Sequence, residues 1–203
     1  MIRAAALAAG LALLSACGLP PSADATPEAA AAAAHRAPGP PSLTLFTMVS
    51  TRDGSGSHTA LMVSGRAERI VFDPAGTFAH PAAPERGDVL HGIDDRMLEL
   101  FVDYHARPLF DVEMRTLPLD GATADRLIAL ARARGPVPRI RCALATGALL
   151  RDAGVPGMRP RLYPDALARD LDRRPGVVRT RRADPTPDAW SPERRDAPPP
   201  PAA

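Results

Sequence analysis

Apolar residues recur with two different periods between residues 42 and 181, and the two periods predict two kinds of element. Apolar, β-prone runs predict strands over residues 43–50, 58–64, 68–73, 108–119 and 176–180. Apolar residues at helical spacing predict four helices. The first begins near Asp94 or Asp95 and ends at Tyr104, and the other three cover residues 122–134, 140–153 and 164–173. Strands and helices are grouped rather than strictly alternating. This pattern predicts an α+β domain, in which a small antiparallel sheet packs with helices.

The second and third predicted strands are joined by Ser64-Gly65-Arg66-Ala67, which suits a tight hairpin turn. With a two-residue turn, Ser64 pairs with Ala67, and His58 then lies directly opposite Asp73. Directly opposed side chains point to the same face of a sheet and lie close together. The sequence therefore predicts contact between His58 and Asp73, although a loop one residue longer would place them on opposite faces.

The N-terminus has a positive start, a short apolar stretch and small residues before Cys17, which together indicate a secretory signal. The apolar stretch is too short to span a bilayer, for which about 20 residues are needed. The segment Leu14-Ser15-Ala16-Cys17 resembles the lipobox of bacterial lipoproteins. This resemblance implies cleavage before Cys17, lipid on its thiol and an anchor in the membrane. Because no Asp follows Cys17, the resemblance favours the outer membrane, with the protein facing the periplasm. An ordinary secreted protein cut near Ala16 is the alternative.

Composition changes at both ends of the predicted domain. We expect a signal peptide over residues 1–16 and a flexible tether rich in Pro and Ala over residues 17–41. The folded domain would cover residues 42–181. Residues 182–203 are rich in Pro and Arg and contain few residues that could enter a core, so they predict a disordered tail.

The net charge of +2 is small, and it gives no reason to expect a nucleic-acid partner. The chain has two cysteines. If Cys17 carries lipid, Cys142 has no partner for a disulfide within the chain. An unpaired thiol in an exported protein is either a buried small side chain or a reactive nucleophile.

Cys142 falls in the first turn of a predicted helix, where unpaired N–H groups and the helix dipole stabilise a thiolate. A cysteine nucleophile also needs a base and a polar group that orients the base. His58 and Asp73 are the candidates for these roles. Each residue has an ordinary structural alternative: Cys142 as a core residue, His58 as a strand residue and Asp73 as a turn former before Pro74.

A His at the start of one strand, a polar residue on the next strand and a Cys at a later helix N-terminus resemble the circularly permuted NlpC-type papain-like fold. The resemblance covers residues 43–155. It implies that Cys142 is the nucleophile, His58 the base and Asp73 the residue that orients His58. It also implies acyl transfer at an amide, ester or thioester, with cell-wall peptides or lipid acyl groups as substrates.

Other kinds of chemistry have weaker support in the sequence. His80, His91 and His105 are dispersed, and neither H-E-x-x-H nor a paired-cysteine metal spacing occurs, so we predict no metal and no cofactor. The loop at residues 54–57 is neither a serine-hydrolase elbow nor a phosphate-binding loop. Three functional hypotheses remain: a lipid-anchored cysteine hydrolase or acyltransferase, a non-catalytic envelope lipoprotein that binds cell-wall or protein partners, and a surface-stabilising lipoprotein without a specific ligand.

Overall fold

The structure, a computed structural model, describes residues 24–184. The predicted signal peptide, Cys17 and the part of the predicted tail after residue 184 lie outside the described residues. The strands are β1 Ser42–Ser50, β2 Gly56–Ser64, β3 Arg69–Phe72, β4 Glu85–Arg86, β5 Val89–Leu90, β6 Phe110–Pro118 and β7 Val178–Arg182. The helices are α1 Pro27–Ala32, α2 Asp95–His105, α3 Gly121–Arg134, α4 Cys142–Asp152 and α5 Pro164–Asp172.

The strands form one antiparallel sheet in the order β4-β5-β3-β2-β1-β6-β7. β1 pairs with β2 on one side and with β6 along its whole length on the other. The antiparallel sheet and its helices confirm the predicted α+β class. The two-residue strands β4 and β5 lie between the strand predicted over residues 68–73 and the helix predicted to begin near Asp94 or Asp95, where the sequence pattern predicted no element.

Helices cover both faces of the sheet, because alternate side chains of β1 and β2 point to opposite faces. One core cluster contains Leu43, Leu45, Leu61 and Val63, and it packs against the apolar sides of α3, α4 and α5. The other core cluster contains side chains from the opposite face together with α2, among them Phe46, Ala60, Met97 and Phe101. The central strands are therefore buried on both sides.

The predicted helix ends agree with the capping groups that the structure contains. Asp94 caps α2, with its carboxylate accepting a hydrogen bond from the Met97 N–H at 2.6 Å. Asp120 caps α3 in the same way, and Gly135 follows the last residue of that helix with a φ of 73°. These local interactions fix where each helix begins and ends.

The predicted two-residue turn between β2 and β3 is wrong. Ser64 pairs with Arg69 rather than with Ala67, so the connecting loop contains residues 65–68. Contacts with α3 hold this longer loop: the N–H and guanidinium of Arg66 donate to Asp125, and the guanidinium of Arg132 donates to Glu68. The register moves by two residues, and a shift of two keeps every side chain on its predicted face.

Residues 24–41, predicted as part of a flexible tether, pack along the domain instead. Thr26 caps α1, and Ala30 is buried. The Ala25 N–H donates to the Glu85 carbonyl at 2.8 Å, and the Arg86 guanidinium donates to the Ala25 carbonyl at 2.9 Å. This segment therefore extends the sheet layer beyond the predicted domain boundary at residue 42. Similarly, the last strand continues to Arg182, inside the predicted tail.

None of the helices within residues 24–184 is long and apolar enough to cross a membrane.

Candidate functional site

His58 lies near the start of β2, next to an irregularity in the pairing with β1. Met48 pairs with His58, whereas the next residue, Val49, pairs with Gly56, so Ser57 is an extra residue on β2. The extra residue makes a β-bulge, which bends the strand and turns the side chains beside it. A Cβ at Gly56 would come within 2.8 Å of the backbone nitrogen of Asp165. The start of α5 therefore packs directly on this part of β2.

Asp73 follows the last residue of β3 and contacts His58. The carboxylate oxygen Oδ1 lies 2.6 Å from Nε2 of His58, and only 4% of the Asp73 side chain is exposed. Continuing the register places Asp73 level with Ala60, so it lies diagonally across from His58 on the same face. A Cβ at Gly76 would collide with the Asp73 carboxylate. The Asp-Pro-Ala-Gly turn therefore needs glycine at its fourth position to leave room for this carboxylate.

Cys142 is the first residue of α4 and reaches the same strand from the helical layer. β3 ends at Phe72, so it pairs only with residues 61–64 of β2 and leaves the earlier part of β2 without a strand on that side. The Cys142 thiol lies close enough there to the His58 imidazole, and to the backbone N–H groups of Thr59 and Ala143, for these groups to lower its pKa. The three residues predicted from the sequence thus meet where β3 ends.

The electrostatic environment favours a thiolate and an imidazolium at this site. Burial alone would lower the pKa of His58, but hydrogen bonds with Asp73 and Cys142, and their negative charges, raise it to about 10. Burial alone would raise the pKa of Cys142, but the hydrogen bond and charge of His58 outweigh it and hold that pKa below its ordinary value. A positive group next to a sulfur is the usual cause of a reactive cysteine.

The first turn of α4 leaves backbone N–H groups without an acceptor inside the helix. Arg141, which precedes α4, makes no side-chain cap hydrogen bond, and the first helical bond runs from the Ala145 N–H to the Arg141 carbonyl. The N–H groups of the first turn therefore remain available to a developing oxyanion. Cys142 as a whole residue is only 8% exposed, so little of it is open to a substrate.

His105 belongs to this site, although the sequence pattern gave no reason to select it. It is the last residue of α2, and its ring lies parallel to that of His58, with centroids 6.1 Å apart and an interplanar angle of 16°. Burial and the charge of His58 lower the pKa of His105, and the charge of Asp73 raises it. Burial is the largest of these effects, so the pKa lies below its ordinary value. Only the packing of α2 against the sheet brings His105 close to His58. In the sequence, the one indication was that His105 lies at the end of a predicted helix, on the same side as the apolar Phe101.

Ile140 introduces backbone strain two residues before Cys142. Its φ is 66°, in the left-handed region that β-branched residues rarely adopt, and its side chain is 88% exposed. An exposed side chain gains little from packing, so packing of the Ile140 side chain does not compensate for the backbone strain. Strained residues that persist in this way are concentrated at functional sites.

A cavity of about 410 Å³ lies on the neighbouring side of α4. Arg141 and Leu144 of α4 line it together with Arg134 and the Pro136-Val137-Pro138 segment. The lining of the cavity therefore combines apolar residues with two arginines, close to the helix that begins with Cys142.

The other two candidate histidines lie elsewhere. His80 is exposed in a loop, where its Nδ1 accepts a hydrogen bond from the Ala82 N–H. His91 is buried, with its Nδ1 3.5 Å from the Glu68 carboxylate. Neither contacts the residues at the end of β3. A comparison of the chain with protein-family models, with curated proteins and with solved structures found no match.

Proposed function

We propose that this chain is a membrane-anchored lipoprotein whose domain is a cysteine hydrolase or acyltransferase of the permuted papain-like kind, acting on cell-wall peptide or acyl bonds. The observation that carries the proposal is the 2.6 Å contact of Asp73 with His58. Cys142 lies beside the same imidazole, close enough for the two groups to change each other's pKa. This arrangement supplies a nucleophile, a base and an orienting carboxylate in the order that thiol catalysis requires.

In the first step of the proposed reaction, the Cys142 thiolate attacks the carbonyl carbon of the substrate. The new carbon–sulfur bond forms as the carbonyl π electrons move to oxygen, and the N–H groups of the first turn of α4 stabilise that charge. The tetrahedral intermediate collapses to a thioester. The leaving amine or alkoxide takes the proton of the His58 imidazolium, and His58 becomes neutral.

In the second step, neutral His58 removes a proton from water or from an acceptor alcohol or amine. The deprotonated acceptor attacks the thioester carbonyl, and the carbon–sulfur bond breaks. Cys142 leaves as a thiolate, and His58 is again an imidazolium. Asp73 takes no part in the proton transfers, because its role is to orient the His58 ring and to stabilise the imidazolium.

The substrate classes follow from the family resemblance and from the predicted anchor. A lipid on Cys17 would hold the domain within reach of a membrane and, on the periplasmic side, of the cell wall. Two arginines are among the residues that line the cavity beside α4, and arginine is the residue type that best binds the carboxylates or phosphates that envelope components carry.

The first test measures alkylation of Cys142 by iodoacetamide, followed by peptide mapping that separates Cys142 from Cys17. We expect faster labelling at about pH 7 than in the denatured chain, and a loss of roughly tenfold in His58→Gln. His80→Gln, which removes an exposed histidine, serves as the matched control and keeps the wild-type rate.

A second test supplies p-nitrophenyl acetate as a generic acyl donor. We expect an early release of p-nitrophenol and an acetyl group on Cys142, and neither in Cys142→Ser.

If the pH midpoint of iodoacetamide labelling lies at or above the ordinary thiol pKa and does not change in His58→Gln, the enzyme proposal fails. The non-catalytic envelope lipoprotein is then the better description.

A further inference from the structure

Three potential metal ligands converge on one point at the site. A ring nitrogen of His58, a carboxylate oxygen of Asp73 and a ring nitrogen of His105 all lie within 4.8 Å of one another. They come from β2, from the end of β3 and from the end of α2. Ligand atoms bound at about 2.0–2.2 Å around one tetrahedral ion are roughly 3.3–3.6 Å apart. Small side-chain movements would therefore bring these atoms to metal-binding distances.

The hydrogen bonding of His105 leaves one of its nitrogens free to bind a metal. Its Nδ1 lies 2.8 Å from the Phe101 carbonyl oxygen, and because a carbonyl only accepts, Nδ1 is the donor. A neutral ring then has an unprotonated Nε2. Metal-binding histidines usually donate their second ring N–H to a backbone carbonyl or a carboxylate in this way, which fixes the tautomer and the ring orientation.

The carboxylate supplies the negative charge that a divalent cation needs. Only 4% of the Asp73 side chain is exposed, and the N–H at Nε2 of the protonated His58 imidazole faces its carboxylate. A metal ion would take the place of that proton, which passes to solvent as His58 changes from a hydrogen-bond donor to a ligand.

We propose that His58, Asp73 and His105 form a binding site for a divalent transition-metal ion of the zinc class. Two imidazoles and one carboxylate suit zinc and its neighbours, whereas magnesium and calcium prefer sites made of oxygen ligands. A bound ion would hold His58 away from its role as a base. Zinc would therefore inhibit the enzyme, and this consequence, unlike the binding itself, rests on the proposed function.

The test titrates zinc chloride into the full chain carrying Cys17→Ser, in competition with a chromophoric chelator at about pH 7.5. We expect one zinc ion per chain and no competition by magnesium chloride. His105→Gln should weaken zinc binding by at least about tenfold. His80→Gln is the matched control and should bind zinc as the parent does. Asp73→Asn is a second variant that should also weaken binding, and thermal unfolding of each variant checks that it folds.

Three results would overturn the metal site: no stoichiometric zinc binding by the parent chain, unchanged affinity in His105→Gln, or loss of zinc in Cys142→Ser while His105→Gln retains it. Iodoacetamide labelling separates this proposal from the enzyme proposal. Equimolar zinc should slow labelling of Cys142, and EDTA should restore the rate. If Cys142 is not activated in the metal-free chain, the enzyme proposal fails, while the zinc affinities still decide the metal site.

Discussion

Nε2 of His58 lies 2.6 Å from Oδ1 of Asp73, diagonally across two neighbouring strands. The carboxylate is almost completely buried, and the imidazole is 21% exposed. A fully exposed ion pair contributes little to stability because water screens its charges. A buried carboxylate is screened much less, so it restrains the position and the protonation of its partner more strongly. The contact therefore fixes both the orientation of the imidazole and its charge.

Replacing Asp73 by Asn removes the negative charge and keeps the size of the side chain. The charge of Asp73 is among the causes of the raised pKa of His58, so this pKa should fall in the variant. A less positive His58 stabilises the Cys142 thiolate less. We expect the midpoint of Cys142 alkylation against pH to move up by about one pH unit, with roughly tenfold slower labelling at about pH 7. Asp103→Asn, on the exposed side of α2, should leave the profile unchanged.

Protonation of His58 should also be measurable as a pH dependence of stability. Its folded-state pKa is raised from 6.5 to about 10, so the stabilisation is complete below pH 6.5 and is lost as pH rises through the folded-state value. Cys142→Ser provides a background without thiol titration. In urea unfolding, the stability advantage of Cys142→Ser over Cys142→Ser/His58→Gln should decrease as pH rises above 6.5. In this background the Asp73 carboxylate still raises the pKa of His58, whereas the contribution of Cys142 is lost. A difference that stays constant as pH rises above 6.5 would contradict the pairing of His58 with Asp73.

Glu85 should show pH-dependent destabilisation. Burial and the nearby carboxylates of Asp88, Asp73 and Asp24 raise the pKa of Glu85 from 4.5 to about 7. Stability contributed by its protonated form is present below pH 4.5 and is lost as pH rises through about 7. Glu85→Gln should therefore stabilise the chain at pH 8 by about 1 kcal/mol, after allowance for solvent screening, and have little effect at pH 4. Glu99→Gln, at an exposed position, should lack this pH-dependent gain.

Relief of the strain at Ile140 should stabilise the chain. Asn adopts the left-handed region more readily than a β-branched residue, and the exposed side chain of Ile140 gives up little packing. We expect Ile140→Asn to raise the free energy of unfolding by about 1 kcal/mol in chemical denaturation. Val178→Asn replaces another exposed β-branched residue, in an extended strand, and should give no gain. An equal or smaller change at Ile140 would argue against backbone strain there.

The predicted anchor gives a test in cells. In a bacterial host that processes lipoproteins, Cys17→Ser should remove the acceptor for lipid. We expect the wild-type chain in the detergent-soluble membrane fraction and Cys17→Ser largely outside it, because about 0.8 kcal/mol per buried CH₂ makes two or more acyl chains a stable anchor. Cys142→Ser should stay with the membranes. Wild-type protein without lipid on Cys17, by mass spectrometry, would contradict the lipobox assignment.

The sequence by itself determined the elements that depend on neighbouring residues. Helices α2 and α3 begin directly after Asp94 and Asp120, because those carboxylates cap free N–H groups within three residues. Both the apolar pattern and the caps are local. The grouping of strands and helices was enough to predict the α+β class, which the structure confirms. The candidate residues Cys142, His58 and Asp73 were also accessible from local features, a helix start and a hairpin.

Tertiary structure decided what depends on contacts between distant residues. The length of the β2–β3 loop is fixed by Asp125 and Arg132 of α3, about 60 positions along the chain, and a local turn pattern contains no information on such partners. Packing of α2 on the sheet brought His105 to Asp73, and contacts with Glu85 and Arg86 ordered residues that composition alone predicted as a tether. In each case burial and long-range hydrogen bonds outweighed the local preference.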